Sequence, residues 1–195
     1  MTDVHENTND HHVGALTATR LGGRVVIVDR SCGICTTCKS GFLLWCTDNG
    51  NERELMAPIT SMDPHSLLRS LTACAAFAVA SVDPSAAVLV LDEASNDPMS
   101  IKALLRSIHP GFVVATSDPA DAGARKALAQ VSSHGRADVV VASHLARAAV
   151  KAVVRGGIVC LPADAVEGPT VTELVQREVQ LIGARSIQDL LELVV

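Results

Sequence analysis

The sequence predicts an α/β protein: a doubly wound parallel sheet, preceded by a shorter β segment built around a knot of cysteines. Three observations carry this. Short apolar runs such as Ala87-Val-Leu-Val-Leu91 have the texture of strands buried on both faces of a parallel sheet. They alternate with stretches of helical length, the pattern of βαβ crossovers. Four of the six cysteines lie between Cys32 and Cys46, within fifteen residues.

The size and composition fit such a protein and exclude others. A chain of 195 residues holds one domain or two small ones, at about 100–200 residues per domain. With 48% hydrophobic and 19% charged residues it can build a core and is not a disordered chain. Three Phe, one Trp and no Tyr leave that core to Ala, Val and Leu. The same scarcity, with a net charge of −5, argues against nucleic acid as a partner, which calls for basic stripes and stacking aromatics. The longest apolar run, Leu71 to Val82, is too short to span a bilayer, and no basic-then-apolar leader opens the chain. The expected compartment is therefore the cytoplasm, where free thiols persist as metal ligands.

Met1 to His12 is polar and carries His5, His11 and His12, and reads as a solvated tail or as a ragged metal-binding entry. Leu21-Gly-Gly-Arg-Val-Val-Ile-Val-Asp29 reads as a turn and then a strand, its β-branched residues filling a buried face. That strand delivers the chain into Cys32, Cys35, Cys38 and Cys46, spaced C-x2-C-x2-C-x7-C. Thiolates at this spacing can turn toward one centre, and Zn²⁺ takes four soft ligands at tetrahedral corners. Gly33 and Gly41 permit the tight turns such wrapping needs. Two disulfides or a redox-active C-x2-C pair are the alternatives. Closely spaced C-x2-C units in a chain of this type suit metal chemistry better.

Polar residues from Thr47 to Glu54 extend the loop. Asp63-Pro64 then starts a helix, with Asp as N-cap and Pro in the first turn, that runs to about Ser81 and carries Cys74. The texture changes after Asp83-Pro84, which divides the chain into residues 1–84 and 85–195. Strands are expected at Ala87 to Leu91, Gly111 to Thr116, Ala137 to Ala142, Gly156 to Leu161 and Glu178 to Ile182. Helices are expected at Pro98 to Ile108, Ala120 to Val131, His144 to Val154 and Ile187 to Val195.

A cysteine lobe that follows Gly-Gly-Arg-Val-Val and precedes a nucleotide-type α/β half resembles the zinc-dependent medium-chain dehydrogenase/reductase family, the alcohol and polyol dehydrogenases. Cys32, Cys35, Cys38 and Cys46 match that family's structural-zinc lobe at every spacing. Ala137-Asp-Val-Val-Val, Arg155-Gly-Gly-Ile-Val and Arg177-Glu-Val-Gln-Leu-Ile-Gly-Ala-Arg-Ser resemble successive segments of its Rossmann domain, in the family's order. Within the family the nearest look is to alcohol dehydrogenases associated with phosphonate catabolism. The resemblance implies a Rossmann-like domain over 85–195 behind a truncated GroES-like segment over 1–84. It further implies zinc and NAD(P) as cofactors, and a small alcohol or aldehyde as substrate.

It also implies a second, catalytic zinc. Val4-His5-Glu6 resembles the family's Gly-His-Glu without its glycine, and Ala73-Cys74-Ala75-Ala76 resembles the segment that bears the last ligand. No cysteine precedes Cys32, so the family's first ligand is missing. His5, Glu6 and Cys74 can supply three ligands, with the metal polarising a carbonyl or lowering an alcohol's pKa. Cys74 also reads as a small buried hydrophobe among Ala, Phe and Val.

The cofactor loop departs from the family. Aligned on the strand end, Asp92, Ala94 and Asp97 stand where Gly-x-G-x-x-Gly belongs. Asp92, Glu93 and Asp97 bring carboxylates to the pyrophosphate's place, and two unit charges about 4 Å apart repel by about 4 kcal/mol at an effective dielectric of 20. Asp97 also reads as the N-cap of a helix that Pro98 begins, or as part of a divalent-cation site. Asp118, ending the second strand, resembles the acid that holds the ribose hydroxyls of NAD, and Asp118-Pro119 reads equally as a helix-capping pair.

Two deletions complete the reading. The stretch from Cys46 to Val88 is far shorter than the family's, and Ser132-Ser-His-Gly135 replaces a strand-and-helix excursion. Such losses are expected to remove an inner sheet element and to open the cleft between the domains. Exposed apolar faces then call for a homo-oligomer or a paired subunit. An active enzyme and a non-catalytic, zinc-stabilised descendant both fit the sequence.

Overall fold

The computed structural model describes residues 11–21, 24–55, 59–92, 96–109, 111–132, 134–162, 164–165, 168–187 and 190. His5 and Glu6 lie outside them, as do Glu93, Ala94 and most of the C-terminal helix expected from Ile187. Two sheets organise the rest. The first is an antiparallel meander of β1 (His11–Val13), β2 (Leu16–Leu21), β3 (Arg24–Ser31) and β4 (Asn49–Leu55), paired in that order. Val25 and Ile27 point inward from β3 and are fully buried, as the β-branched run at this position predicts.

The meander corrects two expectations. His11 and His12 are not tail residues, because β1 pairs with β2 and the His12 Nδ1 lies 3.0 Å from the Thr17 hydroxyl. The polar stretch after Cys46 is not loop either. It forms edge strand β4, where backbone pairing to β3 suffices and side chains such as Glu52, Arg53 and Glu54 face solvent.

The second sheet is parallel, with the order β6-β5-β7-β8-β9 formed by β5 (Val88–Leu91), β6 (Val113–Thr116), β7 (Ala137–Ala142), β8 (Val153–Leu161) and β9 (Gln180–Gly183). All four residues of β5 are buried because helices cover both faces. Val88 and Val90 pack on one side with α2 (Pro64–Val79) and α3 (Ile101–Ile108). Leu89 and Leu91 pack on the other with α4 (Ala122–Leu128) and α5 (Ala146–Ala152). The short connection through Ser132 to Gly135 leaves β6 at an edge and β5 hydrogen-bonded directly to β7.

Helix α2 joins the two sheets. Asp63 caps it as expected, its carboxylate accepting from the amides of His65 and Ser66. The helix packs on β1 and β2 from one sheet and on β7, β8 and β9 from the other. Its run Ala73-Cys74-Ala75-Ala76 is buried, and small side chains let both sheets approach. One apolar core thus runs from Val25 and Ile27 through α2 to Val88 and Val139.

The remaining caps differ in place from the sequence reading. Ser100, not Asp97, caps α3, and Asp121, not Asp118, caps α4. Helix α6 (Val171–Arg177) was not foreseen, although Thr170 and Glu173 form a reciprocal capping box at its start. Among the described residues no helix is long and apolar enough to cross a membrane.

Candidate functional site

The cysteine knot is the best-defined site. After β3 the chain turns through Gly33 (φ +70°), forms the one-turn α1 (Thr36–Lys39), and turns again at Gly41 (φ +83°) into a 3-10 turn, Leu43–Trp45. Both glycines occupy left-handed backbone, where a side chain is disfavoured. The four sulfurs lie within 4.8 Å of one another. The closest separations are 3.5 Å for Cys46 to Cys32, and 3.9 Å for both Cys32 to Cys38 and Cys35 to Cys46.

Sulfurs at the corners of a tetrahedron around zinc, each about 2.3 Å from it, stand about 3.8 Å apart. The observed spacing fits that figure, and none of the four is in a disulfide. The arrangement is compatible with a structural zinc.

Backbone amides support the sulfurs from outside. Cys35 N donates to Cys32 Sγ (3.3 Å), Cys38 N to Cys35 Sγ (3.4 Å) and Cys32 N to Cys46 Sγ (3.4 Å). The amides of Cys35 and Ile34 bring the Cys32 thiol down to about 7. Burial pushes Cys38 up to about 12. Such N–H donors both orient thiolates and spread their negative charge.

Two further contacts fix the knot. Gly50 on β4 passes so close to Cys32 that a Cβ there would lie 2.5 Å from Cys32 Cα. On the other side the lobe docks on the chain after β9. Leu44 N donates to Arg185 O (3.0 Å), Trp45 Nε1 donates to Ala184 O (3.4 Å), and the Arg185 guanidinium lies 4.6 Å over the Phe42 ring.

A second site lies at the C-terminal ends of β5 and β7. It is a cleft of about 290 Å³ whose lining includes Ser61, Ser66, Arg69, Asp92, Ser143 and His144. Sheet order reverses between these strands, and open α/β sheets take their ligands at such a point. Arg69 on the cleft wall is held by Asp164, whose Oδ2 accepts from Arg69 Nε (2.9 Å) and lies 2.9 Å from His65 Nε2. His65 in turn stacks on His11 of β1, with centroids 5.6 Å apart. The Ser143 hydroxyl lies 2.7 Å from His144 Nδ1.

At the head of the β5–α3 connection the buried carboxylate of Asp97 is a clasp. Oδ1 accepts from the Thr60 hydroxyl (2.9 Å) and Met99 N (2.8 Å), and Oδ2 from Ser61 N (2.7 Å) and the Ser61 hydroxyl (2.6 Å). Burial acts to raise its pKa, but these donors, the Ser61 hydroxyl foremost, outweigh it and hold the group below the ordinary value. The start of α3 is closed as well, with Met99, Ser100 and Ile101 all buried.

The residues expected from the sequence fall in different places. Cys32, Cys35, Cys38 and Cys46 converge. Cys74 is fully buried, its thiol directed at Ile101 O (3.8 Å), and burial, then the charge of Asp92, push it well above the ordinary thiol range. Among the described residues no ligand group gathers around Cys74. Asp118 is exposed at the end of β6, its Oδ1 accepting from Ala120 N (2.8 Å). Arg69, Asp164 and His65 were not foreseen, since 95 or more residues separate Asp164 from its partners.

The fold has counterparts among solved structures. An alcohol dehydrogenase from Escherichia coli CFT073, complexed with NADH, is 14% identical with a TM-score of 0.54, the match covering 92% of this chain and 68% of that one. The alcohol dehydrogenase of Aeropyrum pernix is 13% identical with a TM-score of 0.55, covering 93% and 70%. The D-arabinose dehydrogenase of Sulfolobus solfataricus is 14% identical with a TM-score of 0.52, covering 93% and 75%. At these identities the likeness is one of fold. No protein-family model and no curated protein matches the sequence.

Proposed function

We propose that this chain is a zinc-stabilised, alcohol-dehydrogenase-like oxidoreductase acting on a small alcohol or aldehyde, and that it handles its nicotinamide cofactor atypically. The observation that supports it most is the polar cleft at the switch point of a doubly wound sheet, joined through α2 to a segment bearing a four-cysteine lobe. The NADH in the E. coli neighbour supports the cofactor class. The sequence resemblance puts a phosphonate-linked alcohol among the first substrates to assay.

The cofactor is atypical because its usual pyrophosphate seat is taken. Asp97 fills the β5–α3 connection with a carboxylate, and the buried Ser100 cap keeps the amides of α3 from an incoming anion. Asp92 adds negative charge beside them. Asp118 keeps its Oδ2 for a ribose hydroxyl, so binding is weak and reaches mainly through the nucleoside end.

A non-catalytic partner subunit is the second reading. It is favoured by Cys74, whose buried thiol has the setting of a packed hydrophobe, and by edge strand β9, where exposed Leu181 lies near exposed Trp45. Metal content and calorimetric titration with NADH separate the two. The enzyme reading assigns a second zinc to His5, Glu6 and Cys74 and expects NADH binding in the millimolar range. One zinc per chain with no heat of NADH binding supports the partner reading and overturns the enzyme.

A further inference from the structure

The connection between β7 and α5 sets a serine and a histidine side by side in the switch-point cleft. Strand β7 ends at Ala142 and α5 begins at Ala146, so Ser143 and His144 fall on a short strand-to-helix turn at the C-terminal end of the parallel sheet. A turn of this kind presents a serine at the mouth of an α/β sheet, although here the histidine is its chain neighbour and not a distant residue. Ser143 N donates to Leu91 O (3.2 Å), which carries the β5–β7 pairing one residue beyond the strands and fixes the turn. Both residues line the cleft, and Ser143 is buried at 6% exposure.

A serine just ahead of a helix ordinarily serves as its cap, but this one does not. It stands two residues before Leu145, the N-cap of α5, and no side chain caps that helix. Its hydroxyl is engaged with the imidazole of His144 instead, Oγ to Nδ1 at 2.7 Å. That distance is within the reach at which a histidine takes a hydroxyl proton. In the tautomer that carries its own proton on Nε2, His144 accepts the Ser143 hydroxyl at Nδ1. Arg69 lines the same cleft, its guanidinium fixed through Nε by Asp164. The terminal N–H groups of a guanidinium held in this way can meet a developing oxyanion.

We propose that Ser143 is a nucleophile activated by His144, and that the cleft hydrolyses uncharged esters with a short acyl chain. Ser143 Oγ bonds to the acyl carbon as its proton passes to His144 Nδ1, and the ester C–O bond breaks with that proton leaving on the alcohol. Water then adds to the acyl group, gives a proton to Nδ1, and releases the acid while the serine hydroxyl is restored. Asp63 and Asp92 also line the cleft and disfavour an anionic substrate. A volume of about 290 Å³ stands at the lower end of the range of about 300–1,000 Å³ for small-molecule sites, which keeps the acyl chain short. The step uses neither metal nor nicotinamide, so its outcome is read separately from that of the oxidoreductase.

The full, zinc-loaded chain is mixed with p-nitrophenyl acetate, with and without prior treatment with phenylmethylsulfonyl fluoride, and the modified residue is located by peptide mass spectrometry. A burst of p-nitrophenolate is expected, blocked by the sulfonyl fluoride, with the acetyl and the sulfonyl group both on Ser143. Ser143→Ala should lose the burst with zinc content unchanged, and His144→Gln should slow acylation by about 100-fold or more. The position of the label on the parent chain decides the matter even where a variant does not fold. No release above the buffer rate, labels found only on other residues, or a burst in folded Ser143→Ala equal to the parent's overturns the proposal.

Discussion

Replacing Asp97 with Ala tests the clasp at the head of the β5–α3 connection. The hydroxyls of Thr60 and Ser61 and the amides of Ser61 and Met99 are among the donors that converge on this carboxylate, at 2.6 to 2.9 Å. Ser61 is exposed, so its amide and hydroxyl recover water when the acceptor is removed, and their loss costs little. Met99 is buried at 7% exposure, and its amide is left without a partner. A hydrogen bond to a charged group contributes about 1.5–3 kcal/mol and an orphaned buried donor costs about 1–3 kcal/mol. We expect a loss of about 3 kcal/mol by urea denaturation, or roughly 6–12 °C in melting temperature for a chain of this length. Asp97→Asn, which keeps one acceptor oxygen, should lose about half as much. The pH dependence has a definite sign. The folded carboxyl titrates below its ordinary value of 3.8, so its contribution is complete above that pH and disappears as pH falls through the folded value. A loss below about 1 kcal/mol in Asp97→Ala, with an unchanged acid limb, would refute the clasp.

Two further predictions concern the knot. Cys46→Ser removes a sulfur that lies 3.5 Å from Cys32 and accepts from Cys32 N, and should weaken zinc by more than about 100-fold, beyond the effect of losing an outer-shell partner; chelator competition measures it, and retention equal to the parent chain would count against a four-cysteine site. Gly50→Ala places a Cβ 2.5 Å from Cys32 Cα, against backbone that cannot rotate away, and should cost about 1–3 kcal/mol while speeding zinc loss to a chelator; a variant with parental stability and zinc retention would show that β4 does not close on the knot.

Much of this was legible in the sequence where chemistry is local. Cys32 to Cys46 declare themselves by spacing, Asp63-Pro64 marks the start of α2, and the apolar runs of β5 and β7 give away a sheet covered on both faces. What was missed depends on partners remote in the chain. Strand β4 is polar because its stability comes from backbone pairing with β3, so its side chains carry no strand signal. Asp97 looked like a helix cap since it precedes Pro98, but Thr60 and Ser61, 37 and 36 residues earlier, outbid the helix for its carboxylate. The Asp164 contacts with His65 and Arg69 exist only once α2 lies across both sheets. Helix α6 is marked in the sequence only by the capping-box spacing of Thr170 and Glu173; none of the helix's residues is buried, so no apolar stripe accompanies it.

The four cysteines are arranged to close on one structural zinc and hold the lobe against the parallel sheet. Zinc X-ray absorption on the full chain tests it most directly. A single shell of four sulfurs at about 2.3 Å is expected. A shell with nitrogen or oxygen neighbours, or with fewer than four sulfurs, would contradict it.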